Sequence, residues 1–305
     1  MGMILKRAKR ASQASNRRST ARARLRVALS MQTETLPGDD ALKAFAGQAR
    51  SYRPHVVAAT QDLSVLQAHC TSHTCYACDS LPTSVEHVPP KCLFPETKHL
   101  PVGEDLRKSL ITVPACDEHN TAKSSDDEYL RLAIVVNAAN NTVAHGHFKT
   151  KVLRGIERRP ALMNRMLAEQ VAVYIQDTAT GSTGQSCAVP VDLARIQNCL
   201  VLMGRALYFH HFSKHWNGTV QAIPHFCIGL DDADKANNEL SRTLDSMVDQ
   251  LLVESVDHGE NPQVFSYRYG ESPDQGCPVV MKLSFYEGSK VTLIFRDAVA
   301  PESEA

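Results

Sequence analysis

Two pairs of metal-ligand residues, Cys75-x-x-Cys78 and Cys116-x-x-His119, constrain this chain more than any other feature. Two cysteines three positions apart reach one ion from a single knuckle turn, and Cys116 with His119 offers the same reach again. Four soft or borderline donors in two close pairs, separated by 37 residues, suit a closed tetrahedral zinc site. His69, Cys70, His73 and Cys92 are competing donors nearby, most readily in place of His119. The stretch from His73 to Lys123 is rich in Cys, His and Pro and poor in hydrophobic periodicity. Such a segment lacks the apolar mass to fold on burial alone, so bound zinc is expected to supply much of its folding free energy.

The nine cysteines do not read as a disulfide framework. Three sit in metal-ligand spacings, while Cys187, Cys199, Cys227 and Cys277 are scattered in apolar or loop contexts, and no signal peptide is recognisable. That usage fits a reducing compartment, and the cytoplasm is the expected location. No apolar run approaches the roughly 18 residues that a membrane span needs. A hydrophobic content of 43% in 305 residues is ordinary for a globular protein of one or two domains.

The formal net charge of +0 hides an asymmetry. The first thirty residues hold nine Lys and Arg and no acid; taking these from 33 basic residues leaves 24 against 33 acids. A basic arm on an acidic body could grip a phosphate backbone, and its Arg/Ser/Ala composition also resembles an organelle transit peptide. Its low hydrophobicity predicts a disordered extension over 1–35.

The expected organisation is α+β. A short helical lead-in over 36–69 is marked by helices at 41–48 and 62–70. A zinc-stapled module covers 70–130, and a mainly helical accessory domain with a C-terminal β-hairpin covers 131–305. Ser124 to Glu128 places hydroxyls and acids at a helix start, with Asp126 and Asp127 read as caps. Further expectations are a helix over 161–170, a strand over Val171–Ile175, a turn at Gly181–Gly184 and a long buried helix from Val191 to Phe212. Beyond these come a strand over Val264–Tyr269 and a hairpin of 279–286 with 291–295.

Between the two zinc pairs lies Glu86-His87, followed by Pro89-Pro90, which should end a strand. A closed four-ligand zinc does no chemistry, so catalysis would need a second, open metal site. Glu86 offers a hard oxygen suited to Mg²⁺ or Mn²⁺. His87 has a pKa suited to taking a proton from water near neutral pH. The amide oxygen of Asn120, next to the second zinc pair, could complete the coordination, and Lys123 could contact phosphate.

The order Cys75-x-x-Cys78, Glu86-His87-Val88-Pro89-Pro90-Lys91, then Cys116-x-x-His119-Asn120-x-x-Lys123 resembles the HNH endonuclease family in its zinc-bound ββα-metal form. The resemblance covers about residues 70–130. It implies a β-hairpin and helix around one catalytic divalent ion, hydrolysing phosphodiester bonds in nucleic acid, here DNA. His87 then matches the general base, Glu86 and Asn120 the ligands of Mg²⁺ or Mn²⁺, and Cys75, Cys78, Cys116 and His119 the structural zinc ligands. Lys91 and Lys123 become candidate nucleic-acid contacts. The family's middle Asn has no counterpart, since Lys108 to Thr112 reads KSLIT. The alternative is a zinc-stabilised nucleic-acid-binding or regulatory protein of the same fold without catalysis.

Other polar clusters are expected to be structural. His145 and His147 read as surface residues, and His210, His211 and His215 as a packing cluster beside the only Trp. Asp231, Asp232, Asp234 and Lys235 read as a solvated helix start.

Overall fold

Short segments of alternating polarity, one long apolar helix and one long amphipathic helix assemble into two antiparallel sheets and a smaller ββα unit. The computed structural model describes residues 3–7, 26–28, 74–152, 168–177, 181–271 and 277–298. The chain divides into a unit of Met1–Ser30 with His73–Ala305 and a second of Met31–Ser72. Every described residue belongs to the first. The helices expected at 41–48 and 62–70, and most of that at 161–170, lie outside the described residues, as do His69, Cys70 and His73.

The first sheet has the order β1-β5-β6-β2, with β1 Met3–Arg7, β2 Arg26–Ala28, β5 Val171–Asp177 and β6 Thr183–Pro190. Its two outer strands come from the basic segment, so the disordered reading of 1–35 fails at these two places. The cause is pairing with distant strands: Val27 lies opposite Val189 and Met3 opposite Asp177. Val27 is fully buried, and Arg26 also bridges to Ile228 through hydrogen bonds of 2.7 and 2.9 Å.

β3 (Ser84–Val88) and β4 (Ile111–Ala115) pair antiparallel, with Glu86 opposite Val113 and His87 opposite Thr112. The connection between them buries Leu93, Phe94 and Leu106. Helix α1 (Ser124–Val135) follows and runs through position 130, where a module boundary was expected. Its buried stripe of Leu130, Ala133 and Ile134 belongs to one continuous core that also holds Cys75, Leu200 and Phe295. After α1 comes a short helix, α2 (Thr142–His147), capped by the Asn141 side chain accepting from Ala144 N–H at 3.2 Å.

The C-terminal part is less helical than expected. It holds a five-stranded sheet in the order β7-β11-β10-β9-β8. Its strands are β7 Thr219–Pro224, β8 His258–Asn261, β9 Phe265–Glu271, β10 Val279–Phe285 and β11 Ser289–Arg296. β10 and β11 are joined by a tight turn in which Tyr286 and Glu287 have φ of 47° and 62°. Helix α3 (Leu193–Phe212) starts at Asp192, whose carboxylate accepts from Arg195 N–H at 3.2 Å. It lies between this sheet and the ββα unit. The approach to the sheet is close: a Cβ at Gly204 would come within 2.7 Å of Leu293. Helix α4 (Lys235–Leu251) covers the opposite, polar face of the sheet. Ahead of it, Asp231 and Asp234 form a capping box, and Asp234 is buried where a solvated position was expected. Among the described residues no helix is long and apolar enough to cross a membrane.

Candidate metal centre and the His87 pocket

The Cys75–Cys78 knuckle is held against β4 by backbone bonds. Cys75 N–H donates to Ser80 O at 2.8 Å and Tyr76 N–H to Pro114 O at 2.8 Å. β4 ends at Ala115, so Cys116 and His119 emerge beside the knuckle. His119 Nδ1 lies 3.3 Å from Cys116 Sγ, 3.6 Å from Cys78 Sγ and 3.7 Å from Cys75 Sγ, and Cys78 and Cys116 Sγ are 3.8 Å apart. A tetrahedron with Zn–S of about 2.3 Å and Zn–N of about 2.0 Å has edges of about 3.8 and 3.5 Å. The four donors therefore fit zinc, and the group Cys75, Cys78, Cys116 and His119 could hold such an ion. His119 keeps its place in the set. Cys92, a competing donor, points elsewhere and lies 3.6 Å from Asp127 O.

Burial raises the Cys75 thiol pKa, whereas hydrogen bonds from Ser80 lower that of Cys78. Contacts behind the ligands fix their backbone. Tyr76 OH donates to His119 O at 3.3 Å, and His215 Nε2–H donates to Cys75 O at 2.6 Å. His215, expected only to pack near Trp216, thus reaches the knuckle. No spacing rule links positions so far apart in sequence, and the only available signal was an unassigned histidine after a long helix.

Glu86 and His87 are neighbours near the end of β3, and both line one small pocket. Glu86 is buried, and its carboxylate accepts from Lys123 Nζ at 2.6 Å. Lys123 also reaches Asp127 at 2.7 Å, one helical turn further on. Lys123 is therefore not free to meet phosphate, contrary to expectation: two inward acids hold it. Asp127, read as a cap, is instead a buried partner, while Asp126 pairs with Arg195 at 2.5 Å. Burial raises the pKa of both Glu86 and Asp127, only partly offset by Lys123. Burial also works against the Lys123 ammonium, but the two carboxylates outweigh it and its pKa rises.

His87 stands at the end of β3, half-buried. Burial, then the charges of Lys91 and Arg107, lower its pKa below the ordinary 6.5, so the imidazole is neutral at pH 7. Lys91 is exposed nearby. The Asn120 amide N–H₂ donates to Ser84 Oγ at 2.8 Å and Val85 O at 3.1 Å, at the start of β3. The Glu86 carboxylate is taken up by Lys123, and the Asn120 amide nitrogen by Ser84 and Val85. Glu86, His87 and Lys123 share a pocket of only about 10 Å³, closed from α3 by Cys199, Leu202, Met203 and Ala206.

The outlying histidines divide. His147 is 1% exposed, not at the surface, because the Tyr286 hydroxyl accepts its Nδ1–H at 2.8 Å while donating to Leu93 O. His211 packs with His258, Tyr267 and Tyr269, as a packing residue would. No family model, curated protein or solved structure matches the chain.

Proposed function

We propose that residues 74–135 act as an HNH-type endonuclease module that hydrolyses phosphodiester bonds in nucleic acid, DNA being the expected substrate. The observation that carries this reading is the placement of His87. It is the penultimate residue of the first strand of a ββα unit that carries a Cys₃His group, and burial lowers its pKa so that the imidazole is neutral near pH 7. A neutral imidazole can take a proton from water as that water attacks phosphorus, a contribution of about 10²–10⁴ in rate. Cys75, Cys78, Cys116 and His119 hold the structural zinc in this reading. A catalytic Mg²⁺ or Mn²⁺ belongs to it through Glu86 and Asn120, and the Glu86–Lys123 ion pair stands against that part. Lys91, exposed and close enough for its charge to act on His87, is the candidate contact to the nucleic-acid backbone.

The ion pair and the closed pocket favour a second reading, a zinc-stabilised nucleic-acid-binding or regulatory protein that keeps the fold without the chemistry. One assay separates the two. Plasmid DNA is incubated with zinc-loaded protein, with and without Mg²⁺ or Mn²⁺, comparing wild type with His87→Ala and measuring binding in parallel. Cleavage by wild type alone, at equal binding, supports the nuclease. Binding without cleavage by either protein supports the second reading, and equal cleavage by both removes His87 from its role.

A further inference from the structure

Away from His87, the end of α1, the β10–β11 turn and α4 enclose a cavity of about 200 Å³ lined in part by His225, Arg242, Asp245 and Lys290. It lies on the polar face of the five-stranded sheet, and its charges are unequally matched. Lys282, buried behind it, is shared by Asp245 at 2.8 Å and Asp249 at 2.5 Å. Arg268 is met by Asp249 at 2.9 Å and Asp257 at 3.5 Å. The acids of this face are thus spoken for. Among the described residues, no carboxylate pairs with Lys290 or Arg242; the Lys290 ammonium donates to Ser284 Oγ at 2.7 Å. Burial, reinforced by the Lys282 charge, lowers the pKa of Lys290, and the more distant Asp245 and Asp249 carboxylates offset this only in part. A half-buried ammonium with no carboxylate within ion-pair distance is costly, and an anion beside it relieves that cost.

We propose that this cavity binds a small dianion, phosphate or the phosphate group of a small monoester, between Lys290 and Arg242. The two unpaired cations match a double negative charge, and Arg242, exposed at the mouth, suits the fork geometry of phosphate oxygens. His225 lines the same wall, fixed by Ser241 at 2.8 Å and Thr292 at 2.9 Å. Sites for drug-sized ligands run to about 300–1,000 Å³, so this one suits a smaller guest. The site is separate from the zinc group and does not rest on the nuclease reading.

The test is thermal unfolding of the full, zinc-loaded chain at constant ionic strength with inorganic phosphate, a nucleoside 5′-monophosphate or chloride. A saturable rise of a few degrees with phosphate or the monophosphate, absent with chloride, is expected. Tighter binding of the monophosphate identifies a monoester site, and equal or weaker binding identifies the free anion. Lys290→Met and Arg242→Ala should each weaken binding about tenfold or more. Neither variant threatens the fold, since one removes an unpaired buried charge and the other an exposed side chain. No saturable rise with either anion, or a rise that both variants keep, overturns the proposal.

Discussion

The Nε2–H of His215 donates to the carbonyl oxygen of Cys75 at 2.6 Å, so the segment just after α3 grips the knuckle that supplies half of the metal group. The imidazole also stacks on Phe209, with ring centroids 5.6 Å apart. His215→Ala should therefore cost about 1–2 kcal/mol of stability and also weaken zinc retention. Urea unfolding and competition with a chromogenic chelator measure the two effects; unchanged values in both would dismiss the grip as incidental.

Removing a ligand should do far more than removing its neighbour. Cys78→Ser changes one atom in a half-buried side chain, yet it should abolish tight zinc binding and loosen the ββα unit. Metal analysis of the purified protein, with near-ultraviolet circular dichroism around Tyr76, reports both losses. A variant that keeps its zinc and its spectrum would show that the remaining donors suffice.

Lys123 holds two buried acids, and deleting it leaves both uncompensated. Lys123→Met should cost about 3–5 kcal/mol. Adding Glu86→Gln to that variant should restore part of the loss, because one of the two facing carboxylates is gone. Chemical denaturation of the single and double variants decides the point: a double variant less stable than the single one would mean that Glu86 has another partner.

Local spacing makes an element legible in the sequence, and a distant partner hides it. The two ligand pairs, α1, α3 and the strands β5, β9, β10 and β11 follow from neighbours a few positions apart. β1 and β2 do not, because Arg-rich segments become strands only against β5 and β6, well over a hundred residues away. Thr183–Pro190 begins with two polar residues and a glycine, so its start read as a turn. Lys123 and His147 looked like surface groups. Their burial depends on Glu86 and Tyr286, which no periodicity places beside them.

Acid should expose one of the histidines. Burial, with His210 and His258 nearby, lowers the His211 pKa from 6.5 to about 4. The folded chain thus refuses a proton that the unfolded chain accepts below pH 6.5. Stability from this residue is intact above that value and declines as pH falls toward 4. His211→Gln should flatten that part of the profile in urea midpoints recorded across this range; an unchanged slope would assign the acid sensitivity to other groups.

The turn between β10 and β11 places Glu287 at φ 62°, a region that costs a side chain about 1 kcal/mol. Glu287 is exposed, so Glu287→Gly should raise stability by up to about that amount. Tyr286, at φ 47°, should behave oppositely, since its hydroxyl joins His147 and Leu93 in the core. Tyr286→Phe should lose about 1–3 kcal/mol. Thermal melts of the two variants should move in opposite directions.

The seating of α3 over the ββα unit sets an order of events during synthesis. All four candidate metal donors leave the ribosome before Leu193 begins the helix that packs on their ββα unit, so capture of an ion can precede closure. Where zinc supplies the folding free energy of this unit, a chain without it would leave Leu202, Met203 and Ala206 uncovered. Zinc supply would then be read by the cell as exposed greasy helix, the feature that chaperones and proteases sort by, long before any substrate is met.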